Sequence, residues 1–515
     1  MENQHHAAVA RGGEESISSS SVWIETKKQL RLAAPLAAGF LLQKVIQTIS
    51  IMFVGRLGEL PLAGASLATS FASVTGFSLL TGMASSLDTL CGQAFGAGQH
   101  HLLGIYKQRA MLVLAAVSVP VSLVWAYTGD ILVWFRQDRE IAAGAGSYIR
   151  CMVPALFLFG QLQCHVRFLQ PQNVVVPVML SSGATVAVHV AVCWLLVRRL
   201  GLGADGAALA NAVSNLVNLS ALALYIRLSP SCKATWLGFS RQAFHGILGF
   251  LKLAMPSAAM VCMEWWSFEF LVLLSGLLPN PKLETAVMSI CFNTYVFAFM
   301  FPMGLGAAAS IRVSNELGAG RPPAARLATR VVMLLAFSLG VSEGLVMVLA
   351  RTLLGYAYTN DKEVVLYTAR LMPILAACTL LDCLQCVLSG TITSVVRGCG
   401  RQKIGAFINL AAFYIVGIPV AAIFAFVCHL GGMGLWFGIL IGVAVQMVLL
   451  LCITLYTNWN KEVLKANDRV FSCPLPVDDT ITSGCSEQGN GCNFVGNKQD
   501  DANGAIERTN GLNKG

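Results

Sequence analysis

The segment TGMASSLDTLCGQAFGAG, residues 81–98, returns 222 residues further on as MGLGAAASIRVSNELGAG, residues 303–320. Gly82 then coincides with Gly304, and the closing Gly-Ala-Gly at 96–98 with that at 318–320. A second pair extends the match toward the N-terminus: LRLAAPLAA from Leu30 and LKLAMPSAA from Leu251, at an offset of 221. Toward the C-terminus Pro154 pairs with Pro373, and Gly203, Gly206 and Ala210 pair with Gly431, Gly434 and Gly438. An offset that drifts by only a few residues over such a length marks an internal duplication, and the duplication sets the architecture.

The duplicated material is apolar. The chain has 515 residues, of which 56% are hydrophobic and 12% charged, with a mean hydropathy of +0.66. A soluble domain carries about a quarter charged residues, so this composition is that of an integral membrane protein. Runs of about 20 apolar residues, the length that crosses a bilayer core as helix, fall at 30–54, 64–88, 108–134, 142–166, 174–197, 206–228, 248–277, 286–310, 327–352, 365–392, 404–428 and 432–457. The runs are continuous, whereas a transmembrane barrel would alternate polar and apolar positions. The expected fold class is therefore all-α, with twelve transmembrane helices in two pseudo-symmetric six-helix lobes.

The domain boundaries follow. Residues 1–26 are an expected disordered cytosolic tail, 27–228 an N-lobe with helices 1–6, 229–246 a basic cytosolic linker with Lys233, Trp236 and Arg241, 247–457 a C-lobe with helices 7–12, and 458–515 a disordered cytosolic tail. No signal peptide is evident. With the N-terminus inside, one set of loops carries the denser basic charge, including Lys107, Arg109, Arg167, Arg312, Arg321, Arg397 and Arg401; the opposite set carries fewer, such as Arg56, Arg136, Arg198 and Lys282. The positive-inside rule then puts both termini in the cytosol. The net charge of +9 reads as topology and a basic inner face, not as a nucleic-acid partner. Because each half has an even number of spans, the halves are parallel repeats about an axis along the membrane normal. Two bundles around such an axis suit alternating access.

Carboxylates break the symmetry. Projected by 221 residues, Glu264 falls on Gln43 and Glu269 on Thr48; Asp382, nine residues after Pro373, falls on Gln163, nine after Pro154. A carboxylate near the bilayer centre costs roughly 2.5–3.5 kcal/mol on insertion scales and faces a bundle interior or wet cavity. Desolvation penalises a charged carboxyl, so such groups can take and release protons near neutral pH. Glu264 and Asp382 are the expected proton-coupling residues; the competing reading is that each is paired and only holds helices together. Glu269 lies five residues, about 140° of helix, from Glu264 and is placed behind it. Gln43, Gln163, Trp265, Trp266 and Tyr295 complete the expected cavity wall, the aromatics serving flat or cationic molecules by stacking and cation–π attraction. Glu343 and Asp88 are weaker candidates, and Lys44 is a cation at an unusual depth. His189 and His429 stand apart from any nucleophile motif, which argues against an enzyme. No spacing among the 16 cysteines suggests a zinc site or a disulfide framework, and neither a metal nor a cofactor is expected. The Gly-Ala-Gly segments lack the strand-turn-helix context of a phosphate loop; close helix approach and a sharp turn account for them.

VGRLGELPLAGASLA (54–68), SSLDTLCGQAFGAG (85–98), CMEWWSFE (262–269), SNELGAG (314–320) and the span around Asp382 resemble the plant DETOXIFICATION branch of the multidrug and toxic compound extrusion (MATE) transporters. The resemblance covers residues 27–457. It implies a V-shaped two-lobe fold and cation- or proton-coupled export of organic compounds such as alkaloids, flavonoids, organic acids, hormones or xenobiotics. It also implies that Glu264 and Asp382 take part in coupling. Some bacterial members place a key aspartate in the first helix, where the Gln43 region of this chain has no acid. The partners implied are a small organic substrate, protons and the lipid bilayer, acting on a monomer in the plasma membrane or, alternatively, the vacuolar membrane. The runner-up reading is a lipid-linked flippase of a related two-lobe fold, for which a strongly cationic cavity would be expected.

Overall fold

The computed structural model describes residues 19–396 and 402–471. They form twelve helices long and apolar enough to cross a bilayer: α1 Ser20–Gly55, α2 Glu59–Gly96, α3 His100–Ala126, α4 Arg139–Gln172, α5 Val176–Arg199, α6 Gly203–Leu228, α7 Ile247–Ser275, α8 Pro281–Gly318, α9 Pro322–Leu349, α10 Lys362–Thr391, α11 Ile404–Val427 and α12 Gly432–Leu455. No strand occurs among the described residues. The run expected at 108–134 divides, because α3 stops at Ala126 and Thr128–Trp134 is a separate short helix. Helices α2 and α8 continue well past their apolar runs and turn at Gly98 and Gly320, with φ of 74° and 71°, a left-handed conformation that glycine adopts at little cost.

Two segments expected as tails are helical in part. Helix α1 begins inside the 1–26 segment because Glu25 has a buried partner: Arg312 Nε and Nη2 each donate to its carboxylate at 2.9 Å. Arg312 also meets Glu316 at 2.9 Å, and Arg321 meets Glu316 at 3.1 Å. Beyond α12 lies α13, Trp459–Phe471. Its Trp459, Val463 and Ala466 recur at helical spacing and bury against Val313, Leu317 and Leu450, while Val470 joins the core of the first lobe. The rest of both tails, with Cys485 and Cys492, lies outside the described residues, as do Arg397 and Arg401. The 229–246 linker is folded onto the first lobe. Gln108 donates to Gly238 O at 2.7 Å and accepts from Ser240 N at 2.8 Å, and Trp236 covers Lys107 Nζ, 4.1 Å from the ring centroid. Burial pushes the linker thiol of Cys232 up, with the Lys107 ammonium acting in the opposite sense.

One large core joins α2–α6, with Leu87, Trp125, Tyr148 and Phe168 fully buried. A second joins α8, α10, α11 and α12 around Met288, Leu371, Phe413 and Trp436. The first helix of each repeat crosses between them. Leu32, Ala33 and Leu36 of α1 pack with Leu305, Ala308, Val332 and Cys383 of the second lobe, and Phe250, Ala254 and Ala258 of α7 belong to the core of the first.

The crossings explain the glycines of the duplicated segment. A Cβ on Gly82 would lie 2.6 Å from Ala258 Cα, and one on its repeat mate Gly304 would lie 2.6 Å from Ala37 N. Ala37 and Ala258 are themselves repeat mates. Further along, a Cβ on Gly96 would run into Asn315 O and one on Gly318 into Gln93 O, again a reciprocal pair. Small residues let helix backbones approach where no hydrophobic force drives them together. The half of the molecule where α1 begins and α12 ends is thus closed by two-fold-related glycine contacts.

Candidate functional site

The other half of the interface is open. A cavity of about 290 Å³ lies between the lobes, lined by the later turns of α1 and α7 and the middles of α2, α4, α5, α6, α8 and α10. Helix α2 carries a wide turn at Ser73–Phe77 beside it, a distortion often found at functional sites.

Of the residues expected at the site, Gln43, Gln163, Glu264, Trp265, Glu269, Tyr295 and Asp382 all line this cavity. Trp266 does not. Its indole donates to Val74 O at 2.8 Å, so it ties α7 to α2. Asp382 is buried and accepts a 2.8 Å bond from the Tyr295 hydroxyl. Tyr295 is held between Phe268, Phe299 and Trp436. Asn409 Nδ2 donates to Met260 O at 2.8 Å and faces Glu264 Oε2 at 3.4 Å; Gln446 Nε2 in turn donates to Asn409 Oδ1 at 2.8 Å. Asn409 and Gln446 were not singled out in the sequence, though each is an amide inside an apolar run.

The charges sort themselves. Arg167 lines the cavity but is bonded to Asp88. Lys44 lines it from α1 and interacts electrostatically with Glu269, which also hydrogen-bonds Ser70. Among the described residues neither Glu264 nor Asp382 makes an ion pair. Of the charges on the wall only Arg167 is held in an ion pair; Lys44 and Glu269 are opposite in sign and make none among the described residues, so Glu264 and Asp382, both from the second lobe, leave the wall acidic. The facing positions in the first lobe are the neutral Gln43 and Gln163. Glu343 lies outside the cavity, on α9, where Cys383 Sγ approaches its Oε2 at 3.6 Å.

Two related six-helix lobes enclosing a carboxylate-bearing cavity are the architecture of a membrane transporter. A family model described as MatE matches residues 35–195 and 256–423. The chain belongs to the MATE family of transporters. It is 56% identical over 462 residues to Protein DETOXIFICATION 16 of Arabidopsis thaliana, covering 90% of this chain and 94% of that one. It is 53% identical over 448 residues to Protein DETOXIFICATION 17 of the same plant, covering 87% and 93%. Among solved structures it matches the eukaryotic MATE transporter AtDTX14 with a TM-score of 0.84 at 45% identity, over 87% of this chain and 100% of that one.

Proposed function

We propose that the protein is a proton-coupled antiporter that exports organic compounds, secondary metabolites, xenobiotics or hormones, from the cytosol. The observation that carries this reading is the position of Glu264 and Asp382, two carboxyls with no ion pair among the described residues, on the wall of the cavity between the lobes. A carboxyl in such a place can be answered by a proton or by a cationic substrate, and the two compete for it. Substrate is held between the lobes while both carboxyls are deprotonated toward the cytosol. Protonation from the acidic side then releases it and lets the lobes return. The basic residues on the side of the chain ends support cytosolic termini, and we assign the protein, as a monomer, to the plasma membrane, with the vacuolar membrane as the alternative. The acidic cavity speaks against a flippase for phosphorylated lipid heads.

The test is reconstitution in liposomes with an inside-acid gradient, proton efflux being followed with a pH-sensitive dye as organic cations, flavonoids, organic acids and abscisic acid are added. Substrate-dependent dissipation lost in Glu264→Gln or Asp382→Asn is the expected result. Activity that persists in both variants, or that requires sodium, refutes it.

A further inference from the structure

The start of α7 meets a buried cation. Its N-cap, Gly246, makes no side-chain cap, and no acid stands in the first turn. Phe250 N donates to Gly246 O at 3.1 Å, the first bond of the helix, so the N–H groups of Ile247, Leu248 and Gly249 precede the ladder and have no partner within it. This end of a 29-residue helix carries about half a positive charge. Against it lies the Arg109 guanidinium: Cζ, Nη1 and Nη2 are each 3.4 Å from the place a Cβ would take on Gly246.

Two positive groups therefore face each other. Arg109 is 8% exposed, its Nε has no hydrogen-bond partner, and no carboxylate pairs with it among the described residues. The Tyr106 ring is its nearest aromatic contact, at 5.7 Å. Arg167 and Arg312, nearly as enclosed, each have a carboxylate. No acid occurs in α3, in the 229–246 linker or in α7 before Glu264. An unpaired buried charge is costly, and a guanidinium beside the unpaired N–H groups of a helix start is the arrangement that takes a phosphate.

The surroundings decide what carries that phosphate. Gly246 and Gly249 are exposed, and nothing lies within 4 Å of a Cβ on Gly249, so the place is open from outside. Neither Arg109 nor Gly246 lines the cavity between the lobes. Phe244 and Leu248, two residues to either side of Gly246, are 64% and 67% exposed. A cationic pocket flanked by bare apolar side chains matches a molecule with an anionic head and an apolar tail.

We propose that Arg109 and the first turn of α7 bind the phosphate headgroup of an anionic membrane phospholipid, whose acyl chains lie along Phe244 and Leu248. The headgroup joins α3 to α7, the helix whose later turns carry Glu264. The site is separate from the cavity and does not depend on proton coupling.

The full-length protein, stripped of lipid in detergent, is titrated with dioctanoyl phosphatidylglycerol, dioctanoyl phosphatidylcholine or inorganic phosphate, and binding is read by native mass spectrometry and by the rise in unfolding temperature. Phosphatidylglycerol binds roughly tenfold more tightly than phosphatidylcholine, and Arg109→Gln weakens it roughly tenfold. Inorganic phosphate displaces it only at millimolar concentration. Arg241→Gln, which removes an exposed cation of the linker, leaves its affinity unchanged. Leu248→Asp puts a carboxylate at the helix start; it raises the unfolding temperature of the lipid-free protein and abolishes the effect of phosphatidylglycerol, which keeps the proposal testable if Arg109→Gln fails to fold. Equal affinity for the two lipids, undiminished phosphatidylglycerol binding in Arg109→Gln or Leu248→Asp, or an equal loss in Arg241→Gln overturns the proposal. Displacement of the lipid by micromolar inorganic phosphate overturns it as well, because the ligand is then a free anion.

Discussion

Adding one methyl group at Gly304 should open the closed side of the molecule. A Cβ there would lie 2.6 Å from both N and Cβ of Ala37 and 2.7 Å from its Cα, where ordinary contact begins at 3.4 Å. Helices α1 and α8 must part by the shortfall, about 0.8 Å, and no rotamer relieves it because two of the three atoms are backbone. Overpacking of this kind costs about 1–3 kcal/mol. The contact joins the two lobes, so the cost falls on the state in which this side is shut. A differential of that size shifts a two-state equilibrium roughly 5- to 150-fold. Hydrogen–deuterium exchange read by mass spectrometry on segments 86–98 and 311–320 should therefore speed up by that factor in Gly304→Ala, and likewise in Gly82→Ala. Gly39→Ala is the control, since it sits two residues from Ala37 on the same helix with nothing within 4 Å of its Cβ. Unchanged exchange in Gly304→Ala, or an equal rise in Gly39→Ala, would refute the argument.

Two further substitutions test the structure away from the cavity. Glu284 Oε2 accepts from Gly432 N at 3.0 Å and from the Tyr367 hydroxyl at the same distance, capping the start of α12; Glu284→Ala should lower thermal stability by about 0.5–2 kcal/mol, the usual value of a cap, with substrate binding retained. Lys107 is 1% exposed, stacked between Phe168 and Trp236 with no carboxylate bonded to it among the described residues, so Lys107→Met should leave thermal stability equal or higher, because an unpaired buried ammonium costs more than a thioether of similar length.

The twelve spans were legible because the bilayer demands long apolar runs, and the lobes because the duplication is still visible around Gly82 and Gly304. What those glycines touch was not. A helix that faces lipid on one side and protein on the other is apolar all round, so its sequence does not announce which face meets Ala37 or Ala258. The same limit hid Asn409 and Gln446. An acid such as Glu264 or Asp382 is conspicuous at mid-membrane because its cost is large, whereas neutral amides are common enough there to pass unnoticed. The tails misled through composition. The polar residues of α13 concealed Trp459, Val463 and Ala466, and nothing near Glu25 hinted at a partner beyond residue 300.

That partner bears on how the protein is made. Glu25 and Arg312 stand 287 residues apart, an interval that takes roughly 15–60 s to synthesise at ordinary ribosomal rates. For that time the front of α1 has been inserted but has no place to dock, and the first lobe cannot finish until the second has emerged. The two halves are thus topological repeats without being independent folding units. Each is completed by a helix that the other supplies, so quality control in the membrane would see an unfinished molecule until almost the whole chain is in place.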